Sequence, residues 1–235
     1  MKRNKWLIIL AIIVILILGI VYYFLDYYNL IPKKYYSGED FNIDYVYSDH
    51  DQDKDGVDDY IDLLNGARNF VEQKPKYKSE YYDGGYPPPG IGVCTDVVAA
   101  AFLEAGYDLR ELVDQDIRNH REAYPEIKVI DKNIDYRRVR NLKIFFDRNA
   151  FSLTTDMKQI EKWQGGDIVI FPNHIAVVSD RRNKEGIPYI IHHGGQPVYE
   201  EDALKRYKGN ILGHYRIDFS KLIYKESINR LPNHP

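Results

Sequence analysis

The sequence predicts an α+β domain carried behind one apolar N-terminal helix. Three observations lead there. Residues 6–25 carry no charge and are almost wholly apolar. Segments between residues 63 and 149 space their apolar residues as helices do. After Gly165 and Gly166 the period shortens to that of strands, in DIVIF, HIAVVSD, PYIIHH and HYRIDF. Helices first and antiparallel strands later suggest an α+β domain.

Residues 1–5 contain Lys2, Arg3 and Lys5. The apolar run that follows, about twenty residues, is long enough to span a bilayer. Basic residues before it place the N-terminus in the cytoplasm and the remainder outside. Tyr22, Tyr23, Tyr27 and Tyr28 gather at its far end, where amphipathic rings suit the headgroup layer. A cleaved signal peptide has a shorter apolar core and a small-residue site after it, and neither is found here. No cysteine stands directly after the run to take a lipid. The expectation is therefore an uncleaved single-pass anchor at the cell membrane, with the C-terminal domain extracytoplasmic.

Residues 26–48 read as a juxtamembrane linker, 49–62 as an acidic loop, 63–220 as the folded domain and 221–235 as a tail. Residues 63–73 form a short helix, while paired glycines and three successive prolines make YYDGGYPPPGIG a loop. The run from Cys94 ends at Gly106, well placed as a helix C-cap. LRELVDQDIRNH and VRNLKIFFDRN are helical pieces, and EDALKRY reads as helix-forming between the last two strands. Acids and bases are mixed at a net charge of −3, so no nucleic-acid partner is indicated. One cysteine excludes an internal disulfide. Tyrosine outnumbers phenylalanine, 21 to 9, which suits polar grooves and equally suits partly exposed strands.

The acidic loop places Asp51, Asp53, Asp55, Asp59 and Asp62 at positions 1, 3, 5, 9 and 12, with Gly56 after the third. Such alternation wraps oxygens round a hard cation, and glycine permits the sharp turn. The Val57 carbonyl would serve at position 7. The spacing resembles the calcium loops of thrombospondin type 3 and dockerin modules. It departs from an EF-hand in having Asp58 at position 8 and aspartate at position 12. The expectation is a structural Ca²⁺ in the weak extracellular range, roughly 10⁻⁴–10⁻³ M.

Cys94 precedes VVAAAFL, apolar on every side as in an enclosed helix. A thiol at a helix N-terminus lies at the positive end of the dipole, which lowers its pKa. The same unpaired N–H groups suit an oxyanion. His174 opens a strand after Pro172 and Asn173, and the next strand carries His192 and His193. If that hairpin closes around Lys184, His192 faces Ala176 and is the diagonal neighbour of His174 on one sheet face. A slip of one residue would exchange His192 for His193. A cysteine or a histidine by itself is ordinary packing. The three together, in this order, form a nucleophile with a base.

The order resembles the NlpC/P60 papain-like cysteine peptidases. It is carried by Val93-Cys94-Thr95, Gly166-Asp167-Ile168-Val169-Ile170, His174-Ile175-Ala176 and Ile190-Ile191-His192. GVCTDVV, NIDYRRVRNL, GDIVIF and GHYR are similar to signatures of a bacterial family in that superfamily, domain of unknown function 1287. That likeness covers roughly residues 62–217. It implies a papain-like fold with an antiparallel sheet packed on a central helix, Cys94 as nucleophile, His174 as general base and acid, and His192 as the group orienting His174, with His193 the alternative. The separation of 80 from Cys94 to His174 exceeds the usual NlpC/P60 spacing, which implies an inserted segment reshaping the groove.

Arg137, Arg138 and Arg140 are by default a solvated helix face. As forked donors they also suit substrate carboxylates. Asp96 caps the helix or holds an arginine, and His214 and Arg216 on the last strand are candidate groove residues. The resemblance implies peptidoglycan stem peptides as the substrate of an endopeptidase or amidase that needs no cofactor for catalysis. Two rivals use the same shell. One is a calcium-stabilised module that binds wall peptides without cutting them. The other is an acyltransferase or transpeptidase sharing the thioester step.

Overall fold

The computed structural model describes residues 2–207 and 209–222, so residues 223–235 of the expected tail lie outside the described residues. Helix α1 (Lys2–Tyr27) is continuous. Its segment Lys5–Tyr27 reaches a mean hydropathy of 3.2 over eighteen residues, none of them buried, so it is long and apolar enough to cross a membrane.

The domain is α+β, as expected. Helices α2 (Asp59–Glu72), α3 (Cys94–Glu104), α4 (Leu109–Asn119), α5 (Lys132–Asp135) and α6 (Val139–Asn149) precede most of the sheet. Strands β1 (Lys76–Tyr77) and β2 (Ile91–Gly92) pair in parallel at the two ends of the proline loop. The main sheet has six antiparallel strands in the order β3-β8-β4-β5-β6-β7. These are β3 (Ala150–Ser152), β4 (Ile168–Phe171), β5 (His174–Arg182), β6 (Pro188–Ile191), β7 (Glu200–Glu201) and β8 (Gly213–Ile217).

Alternation along the strands sorts their side chains onto two faces. Ile168, Ile170, Ile175, Val177 and Ile191 face the helices and join Val97, Val98, Ala101 and Phe102 of α3 in one core. Val169, Phe171, Ala176, Val178 and Ile190 face away, onto Trp163, Ala203 and Leu204. Helix α3 is enclosed as its composition demands. At Gly66 of α2 an added Cβ would lie 2.6–2.9 Å from Glu104, Ala100 and Ala101, so α2 and α3 touch there backbone to backbone. Gly106, at φ +78°, closes α3 in the left-handed conformation that glycine adopts without strain.

Three expectations change. Helix α2 starts at Asp59, inside the predicted acidic loop, because the Asp58 side chain caps it by accepting from the Tyr60 N–H. EDALKRY is not an α-helix: Glu201 ends β7 and Leu204–Tyr207 makes one 3₁₀ turn. Pairing of Glu200 and Glu201 with Ile191 and Ile190 claims the start of that segment for the sheet. The linker is not free of the domain either, since Tyr36 bridges Arg182 at the end of β5. The β5–β6 register is the expected one at Val177↔Ile191 and Val178↔Ile190, and a bulge shifts it before Arg182↔Pro188.

Candidate active site

Cys94 is the first residue of α3, partly buried and packed against the edge of the helix-side core. Val93 before it is extended, and its N–H donates to Asp96 Oδ2 at 2.8 Å, which fixes where the helix begins. The thiol meets three backbone N–H groups, those of Ile175, Thr95 and Cys94 itself. Ile175 directly follows His174, so the first turn of α3 abuts the start of β5.

The His174 Nε2 and His192 Nδ1 atoms are 2.6 Å apart. The far nitrogen of His192, Nε2, lies 3.0 Å from Glu201 Oε1. Glu201 is buried at 1% exposure, also accepts from Arg206, and takes the Asn29 side-chain amide on Oε2 at 2.8 Å. Burial pushes the Glu201 carboxyl up, but the hydrogen bonds and charges of His192 and Arg206 outweigh it and hold the group below its ordinary range. An ionised carboxylate only accepts, so His192 carries its proton on Nε2 when neutral. Its Nδ1 then accepts from the Nε2–H of His174. The chain of acceptors leaves the Nδ1 lone pair of His174 unprotonated. Sequence reasoning missed Glu201, because a helical reading of EDALKRY separated it from the histidine strand. The adjacent acids ahead of that segment, opposite IIHH, were the available signal.

The electrostatics depart from expectation. Burial pushes the Cys94 thiol up to about 11, against the opposite pull of the three N–H groups. The thiol therefore rests protonated, because desolvation of the sulfur, with the Asp96 charge adding to it, exceeds the contribution of the three N–H groups. Burial, then the neighbouring His192 and His193, pull His174 down to about 3. Thiol and imidazole both rest neutral. Since His174 titrates near 6.5 when unfolded and near 3 when folded, the unfolded chain binds more protons between those values. Stability should thus fall as pH drops through that window, by an amount on the order of a few kcal/mol. Melting curves from pH 7 to pH 4 should fall less steeply for His174→Gln than for the wild type, and parallel curves would refute this.

A cleft of about 370 Å³ opens over Cys94, lined by Tyr77, Ser79, Thr95, Arg138, Arg140 and Asn173 among others. Arg138 is exposed there. Arg137, a candidate for substrate carboxylates, also lines the cleft, but its guanidinium is held with Asp96 in a buried forked ion pair, Nε to Oδ1 at 3.0 Å and Nη2 to Oδ2 at 2.9 Å. Arg137 also donates to the Glu80 carbonyl at 2.6 Å. Both alternatives for Asp96 hold together: it caps α3 and holds an arginine. His214 and Arg216 do not line the cleft. They grip Asp167 of the Gly-Asp turn, His214 Nε2 at 2.9 Å and the Arg216 fork at 2.8 Å on each oxygen, while His214 stacks on Trp163 at 3.7 Å. His193 points to the opposite face, between the rings of Tyr77 and Tyr199, and takes no part in the chain from His174 to Glu201.

These residues lie within a recognisable stretch. Residues 64–217 match the family described as Domain of unknown function (DUF1287). The chain belongs to the DUF1287 family. It is also similar to the uncharacterized protein YijF of Escherichia coli (strain K12), 39% identical over 166 residues, 66% of this chain and 80% of that protein. Cys94, His174, His192 and Glu201 all fall inside the DUF1287 region, and the acidic loop precedes it.

In that loop, oxygens of Asp51, Asp53 and Asp55 lie within 4.8 Å of one another, all three residues exposed. Asp59, expected as a fourth ligand, turns inward instead. It is buried and accepts from the Gln52 N–H at 3.0 Å and the Tyr107 hydroxyl at 2.8 Å. Helix α2, starting at Asp59, rotates that side chain toward the core. Asp62 lies one turn later, buried at 3%, with Oδ2 unpartnered. Val57 donates its N–H to Asp55 at 2.8 Å and is only partly buried.

Proposed function

We propose that this protein is a membrane-anchored cysteine hydrolase that cuts amide bonds in peptidoglycan stem peptides. The observation that carries the proposal is the juxtaposition at the α3–β5 contact. A cysteine at a helix start, its thiol met by backbone N–H groups, lies beside a strand whose imidazole is fixed, through His192 and Glu201, with its Nδ1 lone pair free. The resemblance to NlpC/P60 peptidases and a papain-like fold supports the same reading, as does the order of its motifs. Residues 6–25 serve as the anchor, with basic residues keeping the N-terminus cytoplasmic and the domain facing the wall.

In this mechanism His174 takes the Cys94 proton as sulfur attacks the amide carbonyl. N–H groups at the start of α3 receive the oxyanion. His174 then returns the proton to the leaving amine as the C–N bond breaks, giving a thioester. Water, deprotonated by His174, attacks the thioester and releases a carboxylate and the thiol. Glu201 is a positioning residue, acting through His192. Glu201→Gln should lower kcat by roughly 10²-fold or more with KM nearly unchanged, and should alter the acid limb of the pH–rate profile. A KM effect alone would assign Glu201 to packing.

Digestion of purified peptidoglycan, with mass analysis of fragments, tests the function. New amine and carboxylate ends are expected. The neutral resting thiol is also what a wall-binding module would have. Such a module would co-sediment with the wall and release no fragments, and that result would replace the hydrolase reading.

A further inference from the structure

We propose that the end of the membrane helix is part of the catalytic chain: Asn29 is a positioning residue for Glu201, so that docking of the anchor on the domain aligns His192 and His174. The catalytic consequence rests on the hydrolase reading, while the docking itself does not. An asparagine just beyond a helix is ordinary as a cap. Here φ is +52°, the Asn29 N–H donates to the Asp26 carbonyl at 3.0 Å, and the Leu30 N–H donates to the Leu25 carbonyl at 2.8 Å. These are the paired bonds that close a helix through a left-handed residue. Capping uses only the backbone of Asn29. Its side chain is engaged elsewhere: Nδ2 donates to Glu201 Oε2 at 2.8 Å, 172 positions along the chain.

That oxygen has a second donor, Arg206, from the 3₁₀ turn Leu204–Tyr207. The Arg206 guanidinium in turn lies 5.1 Å from the ring centre of Tyr27, the last residue of α1. Both donors to Oε2 therefore belong to the anchor's end or lean on it, while Oε1 is left for His192. The next residue, Tyr207, stacks on Phe171 at 3.9 Å and lies nearly parallel to the His174 ring at 6.0 Å. One short turn thus touches the anchor and both ends of the chain from His174 to Glu201. Two further contacts hold the segment that follows: Lys33 pairs with Asp26 at 2.9 Å, and Tyr36 bridges Arg182. A carboxylate with two donors on one oxygen cannot rotate without breaking a charge-assisted bond. Its other oxygen stays aimed at His192, and that bond sets which nitrogen of the imidazole carries the proton. Loss of the Asn29 amide leaves Arg206 alone on Oε2 and releases the anchor from the acid.

The test uses the full chain in detergent micelles and the variant Asn29→Gly. Glycine keeps the left-handed cap without strain and removes only the amide. With a soluble stem peptide as substrate, kcat should fall roughly tenfold, the scale of one hydrogen bond to a charged group, with KM nearly unchanged. Nitrogen NMR of the labelled imidazoles reads the contact without any substrate. The groups whose charge bears on Glu201 are His192 of β6 and, from the 3₁₀ turn, Arg206 and Tyr207. Removing a donor from the carboxylate raises the proton affinity of the His192–Glu201 pair. The pair should therefore take up its proton at higher pH in Asn29→Gly than in the wild type. In Asn29→Asp the pH should be higher still, because this variant keeps the cap and sets a second carboxylate beside the first. An unmoved imidazole titration in both variants overturns the docking, whatever the wild type cleaves. Full-rate cleavage by Asn29→Gly beside an active wild type overturns the positioning role. A shifted titration with no cleavage by the wild type upholds the docking and removes the hydrolase reading instead.

Discussion

Cys94→Ala should abolish peptidoglycan cleavage while leaving the protein folded. With the sulfur gone there is no thioester, and water at the same position lacks both its nucleophilicity and its fixed place at the start of α3. The expected loss is at least about 10³-fold in turnover, the scale seen when a covalent nucleophile is removed. Cys94 heads α3 at the edge of the core and is only partly buried, so loss of its one sulfur atom should change Tm little. Cys94→Ser should also fail, because a hydroxyl is far less acidic than a thiol. Cleavage persisting in Cys94→Ala would end the proposed mechanism. The resting state adds a second expectation. With the thiol held near 11, alkylation in the unliganded protein should be slow at pH 7 and still accelerating past pH 9. Rapid labelling at pH 6 would mean that an ion pair with His174 already exists.

Much of this was legible in the sequence because it rests on periodicity. The helix from Cys94, the helices at 109–119 and 139–149, and the strands around Val169, Val177 and Ile190 each have a buried face that composition reveals. The meeting of His174 and His192 followed from a hairpin register that two apolar strands fix, since a slip would turn Ile191 out of the helix-side core. What stayed hidden depended on side-chain contacts that no periodicity signals. Glu201 is tied to His192 across the edge of the sheet by a two-residue strand too short to have a period. The fates of His214 and Arg216 were set by Asp167, 47 and 49 residues away, whose buried charge draws both inward. The thiol's proton affinity was misjudged because a helix terminus is visible in sequence and the depth of burial is not.

Arg137→Met should destabilise the protein more than any other single change at the site. The guanidinium and the Asp96 carboxylate are both sealed, with side-chain exposures of 3% and 2%. Removing one partner of such a pair leaves an uncompensated buried charge, at a cost of about 3–5 kcal/mol. Burial already pushes Asp96 upward, with Arg137 and the Val93 N–H pulling the other way. Without Arg137 its pKa rises further, so the penalty should be greatest at pH 8 and shrink as pH falls and Asp96 takes a proton. The effect reaches chemistry through two bonds. The Val93 N–H bond to Asp96 Oδ2 sets the start of α3, and the Arg137 bond to the Glu80 carbonyl holds the loop that carries Tyr77 and Ser79 to the cleft. The fall in kcat should therefore accompany the loss of Tm. Asp96→Asn combined with Arg137→Met removes both charges and should recover much of the stability, because a neutral amide can still accept from Val93. Equal penalties for the single and double variants, or a penalty that does not change with pH, would show that Arg137 acts through packing against the Tyr82 ring, 4.9 Å from its guanidinium, and not through charge.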